Sequence, residues 1–217
     1  MRSSVIIAID GPAASGKSSV SRALARRLGF AYVNSGAMYR AATWWMLRRG
    51  ANPDDPASVL ALLPRMQFEC GLENGASTIR VDGADPSSHL CDGEVNEHVS
   101  ALSRIPEVRR LLVEKQRHYA GICDLVMEGR DIGSVVFPDT PFKFYIDAAP
   151  EIRARRRARQ GQRDAITERD LADTSRKTSP LTIAEDAYVI DSSNLTIDGV
   201  VGEIVGRLKL KGLEVPE

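Results

Sequence analysis

Short apolar runs alternate along this chain with longer segments whose apolar positions have helical spacing. Five runs are short and apolar enough to be buried strands, at residues 5–10, 30–33, 125–127, 142–147 and 187–191. Helical segments are predicted at residues 19–24, 37–49, 57–66, 92–103, 106–119 and 198–210. Because strands that alternate with helices form parallel sheets covered on both faces, the pattern predicts an α/β fold with a five-stranded parallel sheet.

Residues 67–82 interrupt this alternation. Two β-type segments lie on either side of Asn74-Gly75, a dipeptide that favours the tight turn of a β-hairpin. The arginine-dense stretch 153–163 is a second interruption. We interpret both as insertions in one domain that spans residues 1–217, because the chain has no long linker and no repeat.

Composition narrows the possible classes of function. The 29 basic residues balance 29 acidic ones, so the chain has no overall positive charge for nucleic acid or a membrane surface. No apolar run approaches the length of a membrane span, and the N-terminus lacks the layout of a signal peptide. Three scattered cysteines predict neither disulfides nor a zinc site, and His89 and Cys91 have no second ligand pair. A cytoplasmic location and a monomeric state are expected.

The strongest motif lies directly after the first predicted strand. Residues 11–18 read G-P-A-A-S-G-K-S, which matches the phosphate-binding pattern G-x-x-x-x-G-K-[S/T], and a predicted helix follows. Such a loop directs backbone N–H groups at phosphates, Lys17 is expected to reach the β- and γ-phosphates, and the Ser18 hydroxyl is expected to ligate Mg²⁺. The predicted ATP-binding residues are Gly11, Pro12, Ala13, Ala14, Ser15, Gly16, Lys17, Ser18 and Ser19.

Arginines follow several of the predicted strands. Arg40 and Arg130 come shortly after the second and third strands, and ligands bind at the carboxyl ends of strands in α/β sheets. We therefore expect these two arginines and Lys17 to converge on one crevice. Further arginines are concentrated in the segment after the fourth strand, at positions 153, 155, 156, 157 and 159. Arg169, Asp173 and Arg176 have the spacing of one helix face.

This number of arginines favours a phosphate as the group that accepts the phosphoryl group. Guanidinium forks neutralise phosphate oxygens well, and arginines with Mg²⁺ stabilise the charge of a moving phosphoryl group. A phosphate acceptor is already an anion and needs no general base, whereas a hydroxyl acceptor normally uses a carboxylate to take up its proton. The sequence offers few candidates for such a base, and Asp131 is the chief one. A kinase of a small hydroxyl acceptor, with Asp131 as its base, is the alternative.

Two other classes fit the sequence less well. A regulatory GTPase would carry an Asn-Lys-x-Asp motif and an Asp-x-x-Gly switch, and the chain has neither. A nucleic-acid-binding ATPase would be expected to carry a net positive charge and aromatic residues beside its basic stretch. The net charge of this chain is zero, and its arginine-dense stretch has no aromatic residue beside it.

Four motifs together resemble the bacterial cytidylate kinases, which are nucleoside monophosphate kinases with a phosphate-binding P-loop. They are I-D-G-P-A-A-S-G-K-S at 9–18, S-G-A-M-Y-R at 35–40, G-R-D-I-G-S-V-V-F-P at 129–138, and the spacing of residues 168–181. The resemblance runs nearly from end to end. It implies a three-layer P-loop fold, with a lid at about 152–166 and a monophosphate-binding insertion at 63–92 that contains the hairpin.

The resemblance also implies a reaction and its residues. The reaction is Mg²⁺-dependent transfer of the γ-phosphoryl group of ATP to CMP or dCMP, with no organic cofactor. Ser35, Arg40, Arg130 and Arg176 are expected to hold the acceptor phosphate, Ser100, Arg109 and Asp131 to read cytosine, and Arg169 and Asp173 to bind the ribose. Lys17, Arg130, Arg153 and Arg157 are the expected catalytic residues.

The chain departs from the family pattern at three places. Asn34 stands where the family usually has Asp, and Leu90-Cys91 stands where it usually has an Ile-Arg pair. The lid is also shorter than in many relatives. These differences bear on the affinity and preference for the acceptor more than on the type of reaction.

Overall fold

Strands and helices alternate through most of the computed structural model, which describes residues 4–159 and 181–216. The strands are β1 (Ile6–Asp10), β2 (Ala31–Asn34), β3 (Phe68–Glu73), β4 (Ala76–Val81), β5 (Leu125–Gly129), β6 (Phe142–Asp147) and β7 (Tyr188–Asp191). The helices are α1 (Lys17–Leu28), α2 (Ser35–Arg48), α3 (Pro56–Leu62), α4 (Gly93–Leu102), α5 (Pro106–His118), α6 (Pro150–Arg159) and α7 (Ile197–Leu210).

Five strands form the parallel sheet that the apolar runs predict. Their order is β2-β5-β1-β6-β7, and every neighbouring pair is parallel. On β1, Ile7 and Ile9 pack with α1 and α7 on one face, whereas Ala8 packs with α2, α4 and α5 on the other. Successive side chains of a strand point to opposite faces, so β1 is buried from both sides at the centre of three layers.

The predicted hairpin is present and makes the sheet larger than expected. β3 and β4 pair antiparallel around Asn74 and Gly75, which have φ angles of 50° and 75°. The Tyr32 N–H donates to the Gly75 carbonyl oxygen at 2.8 Å, and β4 pairs with β2. The hairpin thus covers the open edge of β2 and extends the five parallel strands to a mixed sheet of seven. The five predicted strands are therefore confirmed as parallel neighbours, but the sheet has seven strands, since β4 adds a parallel strand beside β2 and β3 adds an antiparallel one.

Local capping moves the start of α2. The helix begins at Ser35, two residues before the predicted start, because the Asn34 side chain accepts a hydrogen bond from the Ala37 N–H at 3.0 Å. A five-residue π-helical turn, Ile132–Val136, follows β5 and was not predicted.

Part of the predicted lid lies outside the described residues. Residues 152–159 belong to α6, and 160–166 are not described. The division of the chain into a core, an insertion and a lid therefore stays a prediction. Within residues 4–159 and 181–216, every helix is too short or too polar to cross a lipid bilayer.

Candidate active site

The loops that follow β1, β2 and β5 open into one cleft of about 910 Å³. The carboxyl ends of parallel strands meet at this edge of the sheet, where α/β proteins bind ligands. The cleft is also lined by residues of α4, α5, α6 and the connection from β7 to α7. The predicted convergence of Lys17, Arg40 and Arg130 is confirmed, because all three line this cleft.

The loop between β1 and α1 folds over its own lysine. Lys17 is buried, and its Nζ donates to the Pro12 carbonyl oxygen at 3.0 Å. Gly16 has a φ of 91°, and a Cβ on Gly11 would lie 2.1 Å from the Ile146 carbonyl oxygen, so both positions require glycine. Because α1 begins at Lys17, the N–H groups of its first turn have no partner within the helix. This arrangement suits a bound phosphate.

A buried carboxylate that the sequence analysis did not single out lies beside this loop. Glu128 is the last residue but one of β5, and it accepts hydrogen bonds from the Ser18 hydroxyl at 2.8 Å and the Tyr32 hydroxyl at 2.6 Å. The Asn34 amide donates to the Tyr32 oxygen at 3.3 Å. Burial and the neighbouring carboxylate raise the pKa of the Tyr32 phenol, so the phenol stays protonated and donates a hydrogen bond to Glu128. The cluster holds the Ser18 hydroxyl in place.

A buried ion pair forms another wall of the cleft. Arg109 of α5 donates to the Asp131 carboxylate, and both side chains are almost fully buried. Arg109 also donates to the Ser103 carbonyl oxygen at 3.4 Å and lies over the Tyr39 ring, 5.7 Å from its centroid. A carboxylate acceptor beside fixed guanidinium donors can recognise a planar ring that presents an amino group next to an acceptor. Ser100 of α4 lines the cleft as well.

A second group of donors lies at the carboxyl ends of β2 and β5, which are neighbours in the sheet. Ser35 begins α2, and its hydroxyl donates to the Glu128 carbonyl oxygen at 2.8 Å. Arg40 of the same helix and Arg130, which follows β5, line the cleft and are partly exposed. Two guanidinium groups and a helix N-terminus are suited to a second anion.

The arginines of α6 have separate environments. Arg153 is buried and does not line the cleft, because its guanidinium donates to the carbonyl oxygens of Ala148 at 3.0 Å and Ala13 at 3.5 Å. It supports the glycine loop from beneath. Arg157 and Arg159 line the cleft.

Arg156 connects three parts of the cleft. Its Nη1 donates to the Ser15 carbonyl oxygen and to the Ser192 hydroxyl, each at 3.1 Å. The Ser192 hydroxyl in turn donates to the Ser15 carbonyl oxygen at 2.7 Å. Sequence reasoning placed Arg156 only within an arginine run. The spacing of three residues between Arg153 and Arg156, which puts both on one helix face, was the available signal.

Asp10 lies under the cleft at the end of β1. Its carboxylate accepts the N–H groups of Ile132 and Gly133, each at 2.8 Å. Burial raises the pKa of the Asp10 carboxyl to about 7, the Asp131 carboxylate adds to the rise, and the two N–H donors and Lys17 oppose it. Ionising this carboxyl is therefore costly, and the two hydrogen bonds offset part of the cost.

The structure brings most of the predicted site residues to one cleft. Those that line it are Ala13, Ala14, Gly16, Lys17, Ser18, Ser19, Ser35, Arg40, Ser100, Arg109, Arg130, Asp131 and Arg157. Gly11, Pro12, Ser15 and Arg153 do not line it. Arg169, Asp173 and Arg176 lie outside the described residues.

Two of the three departures from the family pattern lie at the cleft. Asn34 lies at the cleft, where it caps α2 and contacts Tyr32. Cys91 is exposed at the cleft and keeps a free thiol. Its carbonyl oxygen accepts a hydrogen bond from the Asn96 side chain at 2.9 Å.

Comparison with known proteins gives a consistent result. The family model described as cytidylate kinase matches residues 7–210. The chain is 44% identical to the cytidylate kinase of Streptomyces avermitilis, over 95% of this chain and 94% of that protein. It is 42% identical to the cytidylate kinase of Nocardia farcinica, over 92% and 91% of the two chains. A shikimate kinase structure from Acinetobacter baumannii shares the fold, with a TM-score of 0.51, 14% identity and coverage of 97% and 96%.

Proposed function

This chain belongs to the cytidylate kinase family, and on that premise we propose that its cleft transfers the γ-phosphoryl group of ATP to CMP or dCMP, giving ADP and the diphosphate. The observation that carries the proposal is that one cleft is lined both by the Lys17 loop and by the buried Arg109–Asp131 pair. The first suits the phosphates of a donor, and the second suits the base of an acceptor.

The acceptor base is distinguished by its hydrogen-bonding edge. Cytosine presents an amino group beside the N3 and O2 acceptors, so a carboxylate and a guanidinium group complement it. Uracil would place a carbonyl oxygen against the Asp131 carboxylate. Buried polar groups that the wrong base leaves unpaired make such discrimination strong. Ser100 is proposed to contact the same base.

The acceptor phosphate is proposed to lie against Ser35, Arg40 and Arg130. Arg176 is proposed to join them, with Arg169 and Asp173 at the ribose, by resemblance to the family alone. The two bound nucleotides bring like charges together, and guanidinium groups reduce their repulsion. Arg157 is proposed to act on the moving phosphoryl group, whereas the contacts of Arg153 favour a role in supporting the loop.

The geometry favours a phosphate acceptor over a hydroxyl acceptor. In the alternative function, Asp131 would take a proton from an alcohol. One of its carboxylate oxygens instead already accepts from the Arg109 guanidinium in a buried pair. A phosphate acceptor needs no base, so the pair is free to bind the substrate.

The oxygen donors beside the loop fit Mg²⁺. The Ser18 hydroxyl and the Glu128 carboxylate are hard ligands, and Mg²⁺ typically uses one or two protein oxygens together with waters and substrate phosphates. Within the described part of the chain no group of three or more His, Cys, Asp or Glu side chains could hold a metal by itself. When bound, the ion would supply positive charge to the phosphates, and Glu128 would orient the Ser18 hydroxyl. The monomeric state and the cytoplasmic location stay predictions.

An assay of ADP release with a panel of acceptors tests the function. We expect CMP or dCMP to give the fastest turnover, since cytosine presents an amino donor to Asp131 and the N3 and O2 acceptors to Arg109, whereas uracil lacks the amino group and adenine lacks a counterpart of O2. UMP, AMP and shikimate are the comparison substrates. Faster turnover with any of these three than with CMP and dCMP would refute the proposed substrate class.

A Glu128→Gln variant tests the magnesium site. We expect kcat to fall by about 10- to 100-fold and the Mg²⁺ concentration needed for half-maximal activity to rise. The reason is that the Gln amide cannot accept the hydrogen bonds of both the Ser18 and the Tyr32 hydroxyl. Binding of Mn²⁺ in the presence of ATP, followed by electron paramagnetic resonance, should weaken in parallel. Glu203→Gln is the matched control, since Glu203 accepts from the Tyr188 hydroxyl at 2.9 Å away from the cleft. Equal effects of the two variants would contradict the assignment.

A further inference from the structure

The turn that follows β5 carries the carboxylate proposed to read the acceptor base. Asp131 immediately precedes the π-helical turn Ile132–Val136, and its carbonyl oxygen accepts from the Val136 N–H at 3.1 Å. Such turns are rare and occur mostly at functional sites. The direction of the Asp131 side chain depends on what holds this short segment against the rest of the molecule.

A carboxylate from β1 holds the first two residues of the turn. The Asp10 oxygens each accept one N–H, from Ile132 and from Gly133, at 2.8 Å. These partners are 122 and 123 residues away in sequence, and the carboxylate is buried. Asp10 also directly precedes Gly11, the first residue of the phosphate-binding loop. One side chain thus connects the two halves of the cleft.

An arginine from α5 holds the other end of the turn. Arg117 donates through Nε to the Val136 carbonyl oxygen and through Nη2 to the Val135 carbonyl oxygen, each at 2.9 Å. It lies eight residues after Arg109 on the same helix, so α5 carries both the partner of Asp131 and the support of its turn. Asp10 and Arg117 are both absent from the cleft lining.

We infer that Asp10 and Arg117 are positioning residues for recognition of the acceptor base, acting by holding the turn that presents Asp131. The inference rests on the proposed function. Asp10 fixes the N–H groups at the start of the turn, and Arg117 fixes the carbonyl groups at its end. Loss of either hold lets Asp131 leave the geometry in which it meets Arg109 and cytosine. We therefore expect kcat/KM for CMP to fall more than the affinity for ATP.

Asp10→Asn tests the hold on the start of the turn. The amide keeps one acceptor oxygen but sets an NH₂ group against a buried N–H, so kcat/KM for CMP is expected to fall by about 10- to 100-fold. We expect the change mainly in KM for CMP, with KM for ATP within about threefold of the original value. Asp124→Asn is the control, because Asp124 also joins distant segments through the Val5 N–H at 2.6 Å and is remote from the cleft.

Arg117→Ala tests the other end of the turn. Arg117 is exposed, so its removal leaves the core intact, and this variant decides the question even where Asp10→Asn does not fold. We expect KM for CMP to rise by about 5- to 10-fold, as for loss of charge-assisted hydrogen bonds that are partly solvated. Arg110→Ala is the matched control, since Arg110 is exposed on the same helix.

The ratio of kcat/KM for CMP to that for UMP separates positioning from a general structural role. A drop in this ratio in Arg117→Ala, with the control unchanged, supports the inference. Folded variants with the original ratio and the original KM for CMP would overturn it, and so would equal losses towards CMP and ATP. Failure of the unmodified protein to phosphorylate CMP would instead refute the proposed function.

Discussion

Replacing Lys17 by Met is expected to lower kcat for phosphoryl transfer by about 10³-fold, the largest effect of any single change in this cleft. Lys17 is buried within the glycine loop, with its Nζ 3.0 Å from the Pro12 carbonyl oxygen. In a water-excluded site, a positive charge placed where negative charge develops stabilises the transition state strongly. Met keeps the unbranched shape and most of the length of the side chain, and it removes the charge and the donors.

Steady-state ADP release with CMP, together with titration of a fluorescent ATP analogue, measures this effect. Lys209→Met is the control, because Lys209 is exposed on α7 and lies outside the cleft. Thermal unfolding of both variants shows whether the loop change has altered stability. A Lys17→Met enzyme that keeps kcat within about threefold of the original value would contradict the assignment of this loop as the donor site.

Replacing Asp131 by Ala is expected to lower kcat/KM for CMP by about 10²- to 10³-fold while ATP binding is retained. The variant removes the carboxylate that accepts from the cytosine amino group. It also leaves the Arg109 guanidinium buried without its carboxylate, which should reduce the free energy of unfolding by about 3–5 kcal/mol. These two effects must be separated, because either of them lowers activity.

A double variant separates them. Arg109→Leu in the Asp131→Ala background removes the buried charge, so the free energy of unfolding should recover while the use of CMP does not. Asp82→Ala is the control, since Asp82 forms an ion pair with Arg49 at 2.6 Å outside the cleft. Recovery of CMP turnover in the double variant would show that Asp131 serves stability and not recognition of the base.

Much of the fold and of the donor site could be predicted from local pattern. The apolar runs gave the five parallel strands, and Asn74-Gly75 gave the hairpin, because both signals involve residues that are neighbours in sequence. The pairing of that hairpin with β2 could not be predicted. It depends on a strand edge that exists only once the sheet has formed.

The supporting residues of the cleft had no comparable signal. Glu128 contacts Ser18 across 110 residues, and Arg156 contacts the Ser15 carbonyl oxygen across 141. An acidic residue at the end of a buried strand and an arginine within an arginine run are common features, and only their partners give them a role. The placement of Arg153 beneath the loop is of the same kind.

The sequence by itself determined the glycine loop, its lysine and the order of strands and helices. The reason is that backbone conformation and the spacing of buried positions depend on residues that are close together in the chain. Only the tertiary structure decided that Arg109 meets Asp131, that Glu128 holds Ser18, and that Asp10 and Arg117 hold one turn. The physical reason is that hydrogen bonds of buried polar groups are satisfied through space. These partners lie 18 or more residues apart in the chain, so the local sequence pattern carries no signal of the contact.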